Sequence, residues 1–187
     1  MVDGQNVTSA GVPSRHELWR AGDDRARTID TGTPDNPVRT DYPAGTFVSE
    51  FVGGGRPPTA PDKLAVWLAR SSRSDTAILT GVTDLLQERA LTGPERAAVL
   101  TVLATHTGLA YAGTGVDRAG RSGAAFALTS SAAGGQSTYL LLLDPNTGRF
   151  LAYEQTLIAG APALHLEYPA VLSYRTYRQA DTVAAIP

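Results

Sequence analysis

Apolar residues recur along this chain with two different spacings. Between about residues 59 and 108 they follow the three-and-four spacing of amphipathic helices. Before residue 32 and after residue 108 they alternate with polar residues or form short apolar runs, which is typical of strands. The chain therefore predicts strands, then helices, then strands, and this order favours an α+β fold with an antiparallel sheet over alternating parallel units.

The middle of the chain predicts three helices. The first begins near Thr59, and the second runs from about residue 74 to residue 89 and is weakened by Gly81. The third begins with the capping-box pattern Thr92–Glu95 and ends before Gly108. The predicted inner faces comprise Leu64, Trp67 and Leu68 in the first helix, Ile78, Leu79, Val82, Leu85 and Leu86 in the second, and Leu100, Leu103 and Ala104 in the third.

The N-terminal part predicts few strands. Residues 14–32 indicate two strands around a turn, because apolar and polar residues alternate on both sides of Ala-Gly-Asp-Asp. Residues 31–45 contain three prolines and predict a loop, as do residues 52–61. Residues 46–51 between them predict a short strand.

The C-terminal part predicts a meander of strands. Two hairpins are expected around the turn sequences at residues 117–120 and 145–148. Residues 170–178 and 182–186 predict two closing strands. Residues 1–13 are polar and predict a flexible segment, so that residues 14–187 form one domain.

One predicted strand, Tyr139–Leu143, is apolar on both faces. A half-exposed strand should alternate, so both faces of this one should be covered. Helices can cover one face, and more of the sheet, a partner or a ligand must cover the other. The neighbouring strand Ala124–Leu128 has small residues that leave room. The pattern is compatible with a concave apolar cup and with a fully packed sandwich core.

Composition excludes several classes of protein. The 187 residues carry a net charge of -2, and Lys63 is the only lysine, so no basic cluster suggests nucleic-acid binding. The absence of cysteine excludes disulfides and thiolate chemistry. No apolar run approaches the roughly 20 residues of a membrane span. The N-terminus has no features of a secretory signal.

No group of residues predicts catalysis. Asp30-Thr31-Gly32 matches the tripeptide of aspartic proteases, but that mechanism needs two aspartates and the preceding residues are polar. Asp30 is therefore interpreted as a strand end. The three histidines, His16, His106 and His165, lack metal-ligand spacing, so no metal site and no cofactor are expected.

The motifs of the C-terminal half resemble an actinobacterial family of uncharacterised membrane-tethered proteins, often encoded beside extracytoplasmic-function sigma factors. The matching motifs are Pro94–Ala98 of a helix, the turn at Val116–Gly123 and the hairpin at Leu141–Leu151. The segment around Trp19 also looks like a strand of that family. The resemblance covers roughly residues 14–178.

The resemblance implies a LolA/RseB-like fold, in which helices plug the concave side of a strongly curved antiparallel sheet, an open half-barrel. It also implies an extracytoplasmic, membrane-tethered domain that holds lipids or acyl chains or acts on a regulatory protein. No catalytic residues are established in the family. This chain lacks the expected upstream membrane helix and first strands, so it is an excised domain or a shortened relative, cytoplasmic if Met1 is the native start. A shortened sheet has an unpaired edge, which favours a homodimer.

Three hypotheses of function follow. The first is a non-catalytic domain that senses or binds an apolar small molecule or lipid, with a link to sigma-factor regulation. The second is a small cup-shaped cyclase or isomerase acting on an apolar metabolite, and the third is a homodimeric interaction module. The residues expected to line a ligand are Trp67, Phe126, Tyr139, Leu141, Tyr153 and Tyr174.

Overall fold

The computed structural model describes residues 12–32, 36–48, 55–70, 72, 74–132, 135–160 and 166–187. Within them lie a three-stranded sheet, three helices and a five-stranded sheet, and neither sheet closes into a barrel. The predicted α+β class with antiparallel strands is confirmed. The elements are β1 (Arg15–Arg20), β2 (Ala26–Thr31), β3 (Pro37–Tyr42), α1 (Pro61–Ala69), α2 (Ala77–Glu88), α3 (Gly93–Ala104), β4 (Ala110–Val116), β5 (Ser122–Ala132), β6 (Gly135–Leu143), β7 (Phe150–Gly160) and β8 (Ala170–Thr176).

The N-terminal sheet has the order β1-β2-β3, with each strand antiparallel to the next. The hairpin of β1 and β2 is confirmed, but β3 lies where a loop was predicted. Pro37 is tolerated because it is the first residue of an edge strand, where a missing N–H breaks no ladder. The strand predicted at residues 46–51 is wrong for Thr46–Val48, which belong to no strand, and its other residues lie outside the described part.

The three helices are confirmed, with shifted beginnings. Ala60, and not Thr59, precedes α1, and its side chain makes no cap. Helix α2 begins three residues later than predicted. The capping box of α3 is confirmed, because Thr92 Oγ1 accepts from Glu95 N–H and the Glu95 carboxylate accepts from Thr92 N–H. The buried face of α3 comprises Glu95, Ala98, Val99, Val102 and Leu103, so Ala104 was wrongly expected to face inward.

The C-terminal sheet has the order β4-β5-β6-β7-β8, in which sequence neighbours pair antiparallel. Both predicted hairpin turns are confirmed. The closing strand predicted at residues 182–186 is wrong, because that segment pairs with no strand and Val183 is half exposed.

The hydrophobic core lies between the helices and one face of the five-stranded sheet, here called the inner face. Its sheet residues include Leu128, Tyr139, Leu141 and Tyr153, which pack with buried leucines and valines of the three helices. The opposite or outer face has a smaller cluster of Ala125, Leu142 and Leu151.

The prediction that both faces of Tyr139–Leu143 are covered is confirmed, since only Leu140 is partly exposed. On the outer face the sheet covers itself. Leu142 lies so close to two glycines of the β4–β5 hairpin that a Cβ on Gly115 would stand 3.0 Å from its Cδ1. At the end of that hairpin, Arg121 Nη2 donates to the carbonyl oxygen of Leu151 at 2.9 Å. Additional sheet, one of the three covers left open by the sequence, therefore covers Leu142.

The turn of the β4–β5 hairpin also reaches across the outer face to β7. Arg118 Nη2 donates to Glu154 Oε2 at 2.8 Å, although Glu154 lies on β7, two strands away from β5. Such a contact is consistent with a strongly curved sheet. No helix in the described part of the chain is long and apolar enough to cross a membrane. The flexible segment predicted at residues 1–13 lies mostly outside the described residues and stays a prediction.

Candidate functional site

Five of the six residues expected to line a ligand lie in the core on the inner face. Tyr139, Leu141 and Tyr153 are buried, and Trp67 and Phe126 are partly buried and pack against them. Tyr174 lies apart on the outer face, where the Arg118 guanidinium stands 4.2 Å from its ring centroid. The structure therefore brings together all of the predicted lining except Tyr174.

The inner face has a row of three tyrosines, Tyr139 on β6, Tyr153 on β7 and Tyr177 directly after β8, here called the tyrosine row. Tyr177 continues the pairing of β8, because its N–H donates to the carbonyl oxygen of Leu151 at 2.9 Å. All three rings pack in the core cluster between helices and sheet. The row thus places three phenol groups in an otherwise mainly apolar layer.

Tyr139 is part of a polar network. The Gln155 amide donates to Tyr139 Oη at 3.3 Å and to Ser137 Oγ at 3.5 Å. Nearby, the buried hydroxyl of Ser130 donates to Asp75 Oδ1 at 2.8 Å, which ties the turn before α2 to β5. These polar groups have partners, as buried polar groups normally do.

Tyr177 differs because its buried hydroxyl has no hydrogen-bond partner among the described residues. Burial raises the pKa of Tyr177 far above its ordinary value, the charge of Arg175 opposes this, and Tyr153 and Asp84 add to it. Burial also raises the pKa values of Tyr139 and Tyr153. All three phenols are therefore neutral near pH 7 and able to donate hydrogen bonds.

Two arginines lie beside the row. Arg70, directly after α1, donates to Asp84 Oδ2 of α2 at 2.9 Å. Arg175 of β8 lies opposite Tyr153 in the register, and its guanidinium stands 5.8 Å from that ring centroid. Within the described residues, the Arg175 guanidinium forms neither a hydrogen bond nor an ion pair.

A small cavity of about 150 Å³ lies between the end of α1 and the beginning of α2. Its lining includes Arg70 and the residues Ser74 and Thr76 on either side of Asp75. A shallow depression of about 400 Å³ lies elsewhere, lined by Ser131, Gly135, Gln136, Ala159 and Gly160. None of the six predicted lining residues lines either space, so in this conformation the tyrosine row is a packed layer.

Asp30 and the two described histidines are not part of the core cluster that contains this layer. Asp30 is on β2, opposite His16, whose Nδ1 is 2.6 Å from Asp30 Oδ1, and both side chains are about half exposed. His106 Nδ1 contacts the carbonyl oxygen of Thr107, and His165 lies outside the described residues. The described residues contain no group of three side chains able to hold a metal ion.

Sequence reasoning missed Tyr177, Arg175, Asp75 and Asp84. The sequence did contain a signal for Tyr177 and Arg175. Residues of one parity share a face of a strand, so Arg175 and Tyr177 lie on the face opposite Tyr174. The alternation in residues 173–177 therefore separates the two tyrosines. The carboxylates of α2 and of the turn before it had no such signal, because their position depends on how the helix packs on the sheet.

The fold and this layer define an α+β protein in which helices cover a tyrosine-bearing sheet. Comparisons of the chain with models of protein families, with curated proteins and with solved structures found no match.

Proposed function

We propose that this chain is a non-catalytic binding domain for a small, mostly apolar molecule, held between the helices and the inner face of the five-stranded sheet. Ligand sites in proteins are largely apolar and have a few polar groups that fix orientation. The tyrosine row has this composition, since the phenols lie among buried leucines and valines.

The observation that carries the proposal is the buried hydroxyl of Tyr177, which has no hydrogen-bond partner in the described part of the chain. Leaving a buried donor without a partner costs on the order of 1–3 kcal/mol. Phenylalanine would fill the same space without that cost. A ligand with a hydrogen-bond acceptor would accept from this hydroxyl, and this explains why the position holds tyrosine and not phenylalanine.

A small cavity lies between α1 and α2, and its lining includes Arg70, which donates to Asp84. At about 150 Å³ it is smaller than the roughly 300–1,000 Å³ of ordinary ligand pockets. Because the tyrosine row is packed in this conformation, a ligand needs the helices to move away from the sheet, and we expect the Arg70–Asp84 ion pair to lie at the border that opens. Both side chains are partly exposed, so the pair adds little resistance to this movement.

Native mass spectrometry of the protein purified from its own host tests the proposal. We expect a retained apolar molecule, which organic extraction releases and identifies. Tyr177→Phe should reduce the retained fraction, whereas the control Tyr174→Phe on the outer face should not. Repeated isolation of empty protein, together with failure to take up added apolar compounds, would count decisively against a binding domain.

The proposed link to sigma-factor regulation is supported by the sequence resemblance. Genes for extracytoplasmic-function sigma factors beside the gene of this chain would support that link. Neighbours from a biosynthetic cluster would instead favour the cyclase or isomerase alternative.

A further inference from the structure

The geometry points to a carboxylate on the ligand: an apolar organic acid whose carboxylate contacts Arg175 and Tyr177. This inference rests on the proposed function and adds the chemical class of the ligand. It depends on two neighbouring donor groups that have no acceptor among the described residues.

The first donor is the Arg175 guanidinium. Its position opposite Tyr153 in the β7–β8 register places it on the inner face, beside the tyrosine row. The guanidinium stands 5.8 Å from the Tyr153 ring centroid, within the roughly 6 Å of a cation–π contact, and a contact with a ring face leaves its N–H groups available. Arginine presents these N–H groups as a planar fork that matches a carboxylate.

The second donor is the Tyr177 hydroxyl, two residues further along the same side of the chain. It is buried and has no partner within the described residues. Residues two apart in a strand point to the same face and lie roughly 7 Å apart along it, so Arg175 and Tyr177 are neighbours on the inner face. One carboxylate has two oxygens, and it can therefore accept from the guanidinium and from the phenol together.

Other arginines near the sheet already have carboxylate partners. Arg70 already donates to Asp84, and Arg118 on the outer face already donates to Glu154. The charge of Asp84 is balanced by Arg70, so Arg175 alone offers one positive charge to a ligand. A singly charged carboxylate therefore fits better than a doubly charged phosphate.

A matched pair of probes tests this. Isothermal titration calorimetry at pH 7.5 compares alkanoates of six to fourteen carbons with alkanols of the same lengths. We expect the best alkanoate to bind at least about tenfold more tightly than the matching alkanol, because an ionic hydrogen bond is added. Arg175→Gln should remove this preference while leaving alkanol affinity within about twofold.

Two further variants make the result specific. Arg118→Gln, in which the lost arginine also lies over a tyrosine but on the outer face, should leave both affinities unchanged. Arg175→Lys keeps the charge and should retain part of the preference, which provides a second measurement if Arg175→Gln does not fold.

The outcomes separate this inference from the proposed function. Equal affinity for alkanoates and alkanols overturns the carboxylate assignment and leaves a binding domain for neutral molecules. A preference for alkanoates that survives Arg175→Gln overturns the assignment of the carboxylate to Arg175. If neither series binds and the protein from its host is empty, the proposed function itself fails. A retained native ligand without an acid group also overturns the assignment.

Discussion

Gly81 of α2 lies directly against the backbone of Leu68 in α1: a Cβ at position 81 would stand 2.3 Å from the Leu68 carbonyl oxygen. A carbon and an oxygen that are not bonded to each other do not approach so closely, so only glycine permits this distance between the helices. In the sequence, Gly81 looks like a weak point of its helix. In the structure it is the contact that lets α1 and α2 pack together.

We therefore expect Gly81→Ala to destabilise the protein, although alanine favours a helix by about 1 kcal/mol. Overpacking against backbone costs on the order of 1–3 kcal/mol, and the carbonyl cannot move without shifting α1. Urea denaturation gives the free energy of unfolding. The control is Gly93→Ala at the first residue of α3, where nothing lies within 4 Å of the added Cβ, and it should be neutral or stabilising. An equal effect of both substitutions would contradict the close-contact explanation.

The capping glutamate of α3 should make stability depend on pH in the acid range. Burial raises the pKa of Glu95, but hydrogen bonds from Arg56 and Thr92 outweigh it and leave the pKa lowered from 4.5 to about 2. Because the folded-state value lies below the unfolded one, the carboxylate's contribution is complete above about pH 5 and is lost as pH falls towards 2. Glu95→Gln should remove this part of the pH dependence and cost on the order of 1–2 kcal/mol at pH 7. Thermal unfolding from pH 7 to pH 2 measures it, and parallel profiles for the two proteins would refute the assignment.

The β4–β5 turn should depend far more on Asp117 than on Arg118. The Asp117 carboxylate is buried and accepts from the N–H groups of Ala119 and Arg121 at 2.9 and 2.8 Å, as well as from the Arg121 side chain. Asp117→Ala should lower the free energy of unfolding by about 2–3 kcal/mol. Arg118 is half exposed, so Arg118→Ala should cost less than about 1 kcal/mol. Chemical denaturation of both variants checks the order, and a larger loss from Arg118→Ala would show that the turn is held from the outer face.

The ligand-free protein should become more stable when Tyr177 is replaced by phenylalanine. The change removes a buried hydroxyl that has no partner among the described residues, and it should raise the free energy of unfolding by about 1–2 kcal/mol. Tyr139→Phe is the matched control, because it removes a hydroxyl that accepts from Gln155 and should lower stability by about 1 kcal/mol. Differential scanning calorimetry of protein stripped of ligand compares them. If Tyr177→Phe loses as much stability as Tyr139→Phe, the Tyr177 hydroxyl has a hydrogen-bond partner in the folded protein.

The parts of the fold that the sequence predicted are those with local causes. The capping box at Thr92–Glu95 and the hairpin turns at residues 117–120 and 145–148 depend on residues adjacent in the chain. The burial of Tyr139–Leu143 on both faces was also predictable, because the lack of a period-two alternation is a property of this one strand.

The errors have non-local causes. Residues 37–42 form a strand despite their proline because β2 offers a pairing partner, whereas residues 182–186 pair with no strand of the described part of the chain. Candidate lining residues were chosen by size and aromatic character, which cannot tell a packed core from a cavity. The decisive feature of Tyr177, a hydroxyl without a partner, appears only when its neighbours are in place.

The sequential order of the five-stranded sheet has a consequence for biosynthesis. Every strand from β4 to β8 pairs with its neighbour in sequence, so the sheet can assemble hairpin by hairpin. The helices, at residues 61–104, leave the ribosome before the strands that bury their apolar faces. For that interval the buried residues of the helices, such as Leu64, Leu79 and Val99, lack their cover from the sheet. A nascent chain paused before residue 110 should therefore be the form of this protein most exposed to chaperones, and completion of the hairpins should end that exposure.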